Sequence, residues 1–94
     1  MTLSKYIYKV PGGKLLKVVV EHDNHLMHTM RITGDFFMHP EEGRELLENA
    51  LAQVKLEKQI LIEKINSAIS TNSLEIHGFT NEQLTEAILN ALQR

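Results

Sequence analysis

The chain has 94 residues, 43% of them hydrophobic and 23% charged, with a formal net charge of -2. That length suits one domain with one core, spanning residues 1–94, and leaves little room for a deep, enclosed substrate pocket. The absence of cysteine excludes disulfides, thiolate metal sites and a cysteine nucleophile, and suits a cytoplasmic protein.

No apolar run reaches the roughly 20 residues needed to cross a bilayer. The N-terminus Met1-Thr2-Leu3-Ser4-Lys5 has no signal-type apolar segment. Charge is unevenly spread. Residues 1–39 hold Lys5, Lys9, Lys14, Lys17 and Arg31 against Glu21, Asp23 and Asp35, whereas residues 40–94 hold five basic and nine acidic side chains. The N-terminal part could therefore face an anion or an acidic partner.

In chain order, Tyr6-Ile7-Tyr8-Lys9-Val10 is β-branched and aromatic and predicts a strand. Pro11-Gly12-Gly13 is a turn signal, because proline presets φ and glycine permits positive φ. Leu15–Glu21 follows as a second strand with Leu16, Val18 and Val20 on one face. Asp23-Asn24 is the next turn. In the third strand Leu26, His28, Met30 and Ile32 alternate with Met27, Thr29, Arg31 and Thr33, so the even-numbered set is expected on the core. Pro40-Glu41-Glu42 predicts a helix start, with proline in the first turn and the glutamates against the helix dipole. Leu47, Ala50, Leu51 and Val54 form its apolar stripe. A second helix is expected over about 57–69, with Leu61, Ile65, Ala68 and Ile69 inward, ended by Thr71-Asn72-Ser73. Leu74-Glu75-Ile76 reads as a short edge strand or β-bridge. Thr80-Asn81-Glu82-Gln83 is a capping box opening a last helix over about 81–92, with Leu84, Ala87, Ile88 and Ala91 inward.

Strands first and helices afterwards indicate an α+β fold. The expected form is a three-stranded antiparallel meander, with a short extra strand at most, packed on about three helices. The second sheet face is then left to solvent or a partner.

Few residues suggest chemistry of their own. Lys9 and Lys14 flank the Pro-Gly-Gly turn, whose backbone N–H groups could cradle an anion. Alternatively, this is a hairpin with two solvated lysines. Gly34-Asp35-Phe36-Phe37 ends the third strand. Asp35 suits the turn, and adjacent Phe36 and Phe37 point to opposite sides of an extended segment. One can enter the core while the other becomes an exposed anchor, unless the turn buries both. His22, His25 and His28 are evenly spaced but do not share a hairpin face, so turn or surface roles are expected rather than a metal site. Glu41, Glu42, Glu45 and Glu48 read as a solvated helix face. No paired carboxylates, nucleophile elbow or metal-ligand spacing indicates catalytic residues.

Lys9-Val10-Pro11-Gly12-Gly13-Lys14, followed by Gly34-Asp35-Phe36-Phe37 and His39-Pro40-Glu41-Glu42, resembles the small accessory domain of lipoate–protein ligases. In some organisms that domain is a separate subunit. The larger domain of that family holds the ATP and lipoate sites and an Arg-Arg-x-Ser-Gly-Gly-Gly segment, which is absent from these residues. The resemblance implies an accessory subunit in a heterodimer with a catalytic subunit, which is a ligase only as a complex. ATP, Mg and lipoate would be used by the complex, with no cofactor bound by this chain alone. The complex would form lipoyl-adenylate, and transfer to a lysine of a lipoyl-acceptor domain would follow. On this reading Lys9, Gly12, Gly13 and Lys14 are candidates for supporting adenylation, and Asp35, Phe36, Phe37 and His39 for the partner interface. No membrane contact is expected. The alternative is a non-catalytic protein- or nucleic-acid-binding module unrelated to lipoylation, although the net negative charge disfavours nucleic acid.

Overall fold

The computed structural model describes residues 1–12 and 14–92. Three nine-residue strands, β1 (Thr2–Val10), β2 (Lys14–His22) and β3 (Leu26–Gly34), form the expected antiparallel meander. On the strand faces turned toward the helices, Leu16, Val18, Val20 and Ile32 have no exposed surface. Period-two alternation carries these side chains to one side of the sheet.

The alternation breaks at one place. The β2–β3 register shifts between Glu21 and His22, so that Glu21 faces Thr29 but His22 faces Met27. The extra residue on β3 reverses side-chain parity, as a β-bulge does. Met27 is therefore fully buried, while Leu26 and His28 are only half-buried. This corrects the expectation that Leu26 and His28 share the core face with Met30 and Ile32.

After β4 (Phe37–His39) the chain turns at Pro40-Glu41-Glu42 and enters α1 (Gly43–Ala50). Pro40 thus lies before the helix rather than in its first turn, and the Gly43 N–H donates to the Pro40 carbonyl at 2.9 Å. The first helical residue is tightly packed. A Cβ on Gly43 would lie 3.0 Å from both Met38 Sδ and Leu74 Cδ2. The helix also ends sooner than its apolar stripe. Leu47 and Leu51 are buried, but Gln53 adopts φ +61° and sends Val54 into the short strand β5 (Val54–Lys55). There Val54 pairs with Met27, adding a fourth strand in the order β1-β2-β3-β5.

The other helices follow their sequence patterns. α2 (Lys58–Thr71) buries Leu61, Ile65 and Ala68, and Asn72 caps its end by donating from Nδ2 to the Ala68 carbonyl at 2.9 Å. The extended segment after it is β6 (Glu75–His77), which pairs with β4 in a separate two-stranded ribbon rather than joining the main sheet. α3 (Asn81–Leu92) has the reciprocal cap: Gln83 N–H donates to Thr80 Oγ1 at 3.1 Å, and Thr80 N–H to Gln83 Oε1 at 2.8 Å. Buried Thr85 satisfies its hydroxyl on the Asn81 carbonyl. α3 covers β1 and β2, while α1 packs against β3 and α2. The fold is α+β with helices on one side of the sheet. Among the described residues no helix is long and apolar enough to cross a membrane.

Candidate functional site

The two sequence motifs meet at one end of the sheet. Val10 pairs with Lys14 and Lys9 with Leu15, closing the β1–β2 hairpin over Pro11 and Gly12. Gly12 has φ +104°, and a Cβ there would meet no atom within 4 Å, so its glycine serves backbone conformation alone. Gly13, a sequence candidate, lies outside the described residues. Directly opposed residues share a sheet face. Lys14 therefore lies on the side of buried Val10, whereas Lys9 lies with Leu15 on the open side. Both lysines are exposed at the hairpin tip, but they do not converge on one face.

The Gly34-Asp35 turn is attached to this hairpin. The Asp35 N–H donates to the Leu15 carbonyl at 2.9 Å, so the backbone rather than the carboxylate of Asp35 makes the turn's hydrogen bond. Gly34 has φ +143°, and a Cβ there would lie 2.1 Å from the same carbonyl oxygen. Glycine is required at this position by both conformation and space.

β4 then sorts the adjacent aromatics. Phe36 is half-buried and meets Phe79 edge-to-face, with centroids 5.2 Å apart. Phe37 is 63% exposed. Its ring tilts over His77, with centroids 6.1 Å apart. Met38 turns inward and His39 outward, opposite Glu75. Gly78, at φ +130°, makes room for Phe36: a Cβ there would come within 2.8 Å of the Phe36 Cβ. Sequence reasoning did not single out His77 or Gly78. The glycine two residues after an extended Glu75-Ile76 was the available signal, but only the β4–β6 pairing reveals what it accommodates.

The remaining candidates have structural roles. Asp23 Oδ1 accepts the N–H groups of His25 and Leu26 at 2.6 and 2.8 Å, and Oδ2 meets His28 Nε2 at 2.8 Å. The two backbone donors, and then His28, hold the Asp23 carboxyl well below the usual range. Ser4 Oγ and His22 Nε2 are 2.9 Å apart, tying β1 to β2 at the end remote from the hairpin tip. Glu48, expected in a solvated row, is half-buried and accepts the Ile32 N–H at 2.7 Å along the edge of β3. An open depression of about 340 Å³ lies beside it, lined by Arg31, Glu45, Glu48 and Asn49 among others. Among the described residues no group of three or more His, Cys, Asp or Glu side chains is arranged to hold a metal ion.

Together these elements define a small α+β domain whose hairpin tip, glycine turn and exposed aromatic form one continuous end. Among solved structures, the chain is similar to one from a lipoylation system of the archaeon Thermoplasma acidophilum, described as a bi-partite lipoate protein ligase and its E2 lipoyl domain. The two are 27% identical, with a TM-score of 0.71, and the match covers 93% of this chain and 94% of that one. The resemblance carried by the two motifs therefore extends across the fold. No protein-family model matches the chain, and no curated protein does.

Proposed function

We propose that this chain is the accessory subunit of a two-part lipoate–protein ligase. The observation that carries the reading is the near end-to-end structural match to a chain of a bi-partite ligase system. The joining of the two resemblance-bearing motifs through Asp35 and Leu15 supports it.

In this reading the complex uses ATP, Mg and lipoate, with ATP and lipoate as substrates held by the catalytic subunit. The lipoate carboxylate attacks the α-phosphorus of ATP, giving lipoyl-adenylate and pyrophosphate. Transfer to an acceptor lysine amine then releases AMP. This chain contributes contact and electrostatics to the first step. Phe37 is the anchor, since an exposed aromatic gains most from desolvation against a partner. Asp35 and His39 flank it, and half-buried Phe36 sets its position. Lys14, at the hairpin tip, adds positive potential beside the reacting phosphates or orders the partner loop that surrounds them. Lys9 and Gly12 set the shape of that tip.

The test is ATP- and lipoate-dependent pyrophosphate release by the catalytic subunit from the same source, with and without this chain. Release that needs both chains is the expected result. Equal release from the catalytic subunit alone rules out a role in adenylation, and failure to form any complex favours a binding module unrelated to lipoylation.

A further inference from the structure

The outer face of the main sheet has an ordered composition that the hairpin end does not explain. Its β1 residues run Leu3, Lys5, Ile7, Lys9, alternating aliphatic and basic. The strand register places Val19 and Arg31 across from Lys5, and Lys17 and Thr33 across from Ile7. Aliphatic and cationic side chains therefore alternate along β1 and, from Leu15 to Val19, along β2, and they oppose one another between these two strands. Leu3 and Ile7 are each 61% exposed and Leu15 is 42% exposed. Leu3 and Ile7 are half of the outward set on β1, although an outward strand face is ordinarily polar.

The charge on this face is one-sided. Lys5, Lys9, Lys17 and Arg31 stand against Glu21 alone, a formal +3, so the rest of the chain carries -5 against its total of -2. Glu21 accepts the Thr29 hydroxyl at 3.3 Å at the far end of the face. Among the described residues none of the four cations has a carboxylate within salt-bridge distance.

We infer that this open sheet face docks onto an acidic, apolar-studded surface of the catalytic subunit. The inference rests on the accessory-subunit reading and specifies the surface and the partner's chemistry. Unpaired cations call for partner carboxylates, and the protruding aliphatics call for apolar cover between them. A phosphate backbone would match the charge but not Leu3 and Ile7, and the face carries no aromatic on which bases could stack. Strand geometry gives the face a span of about 20 Å by 10 Å between outer Cα positions. That is smaller than the roughly 800 Å² per partner of a stable interface. The Lys9–Leu15 row joins it to the Asp35 turn, so face and hairpin end form one contiguous surface.

The test is the affinity of the catalytic subunit for the wild-type chain, Lys5→Glu/Lys17→Glu, Ile7→Ala and the α2 control Lys64→Glu, at about 0.05 and 0.5 M salt. Circular dichroism verifies the fold, with Lys5→Gln/Lys17→Gln replacing the reversal variant if that is destabilised. The expected result is at least a tenfold loss of affinity for the reversal variant at low salt, mostly through slower association and narrowing at high salt. Ile7→Ala weakens binding severalfold at both salts, and Lys64→Glu binds as wild type. Unchanged binding by the face variants together with loss in Phe37→Ala confines the interface to the hairpin end and overturns this inference, while leaving the accessory role standing. No complex with the wild-type chain overturns both. Retention of wild type on duplex DNA or anionic vesicles at about 0.15 M salt, with no preference for the catalytic subunit, also overturns it.

Discussion

Replacing Gly34 by alanine tests the link between the two motifs. The new Cβ would lie 2.1 Å from the Leu15 carbonyl oxygen, where real contacts stay beyond 3.0 Å, so backbone must move by about an ångström. The residue also sits at φ +143°, a conformation costing a non-glycine side chain about 1–3 kcal/mol. Moving the turn breaks the Asp35–Leu15 hydrogen bond, worth about 1 kcal/mol. Reduced freedom of the unfolded chain returns about 0.4–1 kcal/mol. The net cost is about 1–4 kcal/mol, which for a domain of this size lowers Tm by roughly 5–30 °C. Gly12→Ala is the matched control. It has positive φ but open space around it, so the same conformational cost and unfolded-state return apply without a clash or a lost hydrogen bond, leaving about 0–2.5 kcal/mol. Urea and thermal unfolding followed by circular dichroism measure both. Equal losses in the two variants, or a Gly34→Ala protein within about 0.5 kcal/mol of wild type, would refute the argument that close backbone approach dictates this glycine.

Three further outcomes are expected. Phe36→Ala should cost about 2 kcal/mol through lost packing on Phe79, whereas Phe37→Ala, removing a largely exposed ring, should stay within about 0.5 kcal/mol yet weaken partner binding. Similar destabilisation by both would show that the two aromatics are not sorted as described. Thr80→Ala should destabilise α3 by about 1 kcal/mol, and a double-mutant cycle with Gln83→Ala should reveal coupling, because the two side chains cap each other's backbone; additive losses would contradict the reciprocal cap. For Asp23, the lowered folded-state pKa means its stabilisation is complete above the unfolded carboxylate value of about 3.9. It is lost as pH falls from there toward the folded value. Asp23→Ala should therefore be less stable than wild type at neutral pH, with the difference shrinking below about pH 4; a difference independent of pH would assign the effect to the turn's shape rather than its charge.

The elements legible in the sequence are those governed by neighbours along the chain. The α3 cap joins Thr80 to Gln83, the α2 stripe repeats at helical spacing, and the hairpin turn is written in Pro11 and Gly12. Each depends on contacts within a few residues, so local chemistry suffices. The core face of β2 was equally clear, because strict alternation at Leu16, Val18 and Val20 leaves one arrangement that buries all three. The resemblance motifs were also visible, and with them the whole-chain likeness later found in a solved structure.

What the tertiary structure decided lies where distant segments compete for space. One extra residue at the β2–β3 bulge moved Met27 into the core and turned His28 to Asp23. Pairing of β5 with β3 ended α1 before its apolar stripe was complete. Phe36 rather than Phe37 became the packed aromatic because Gly78 and Phe79, from far along the chain, supply its cavity wall. The facing of Lys9 and Lys14 followed from strand register. Local sequence determines which conformations a segment favours. The choice among them is made by steric fit and hydrogen-bond satisfaction between segments far apart in the chain, which become neighbours only when the sheet and helices close on one core.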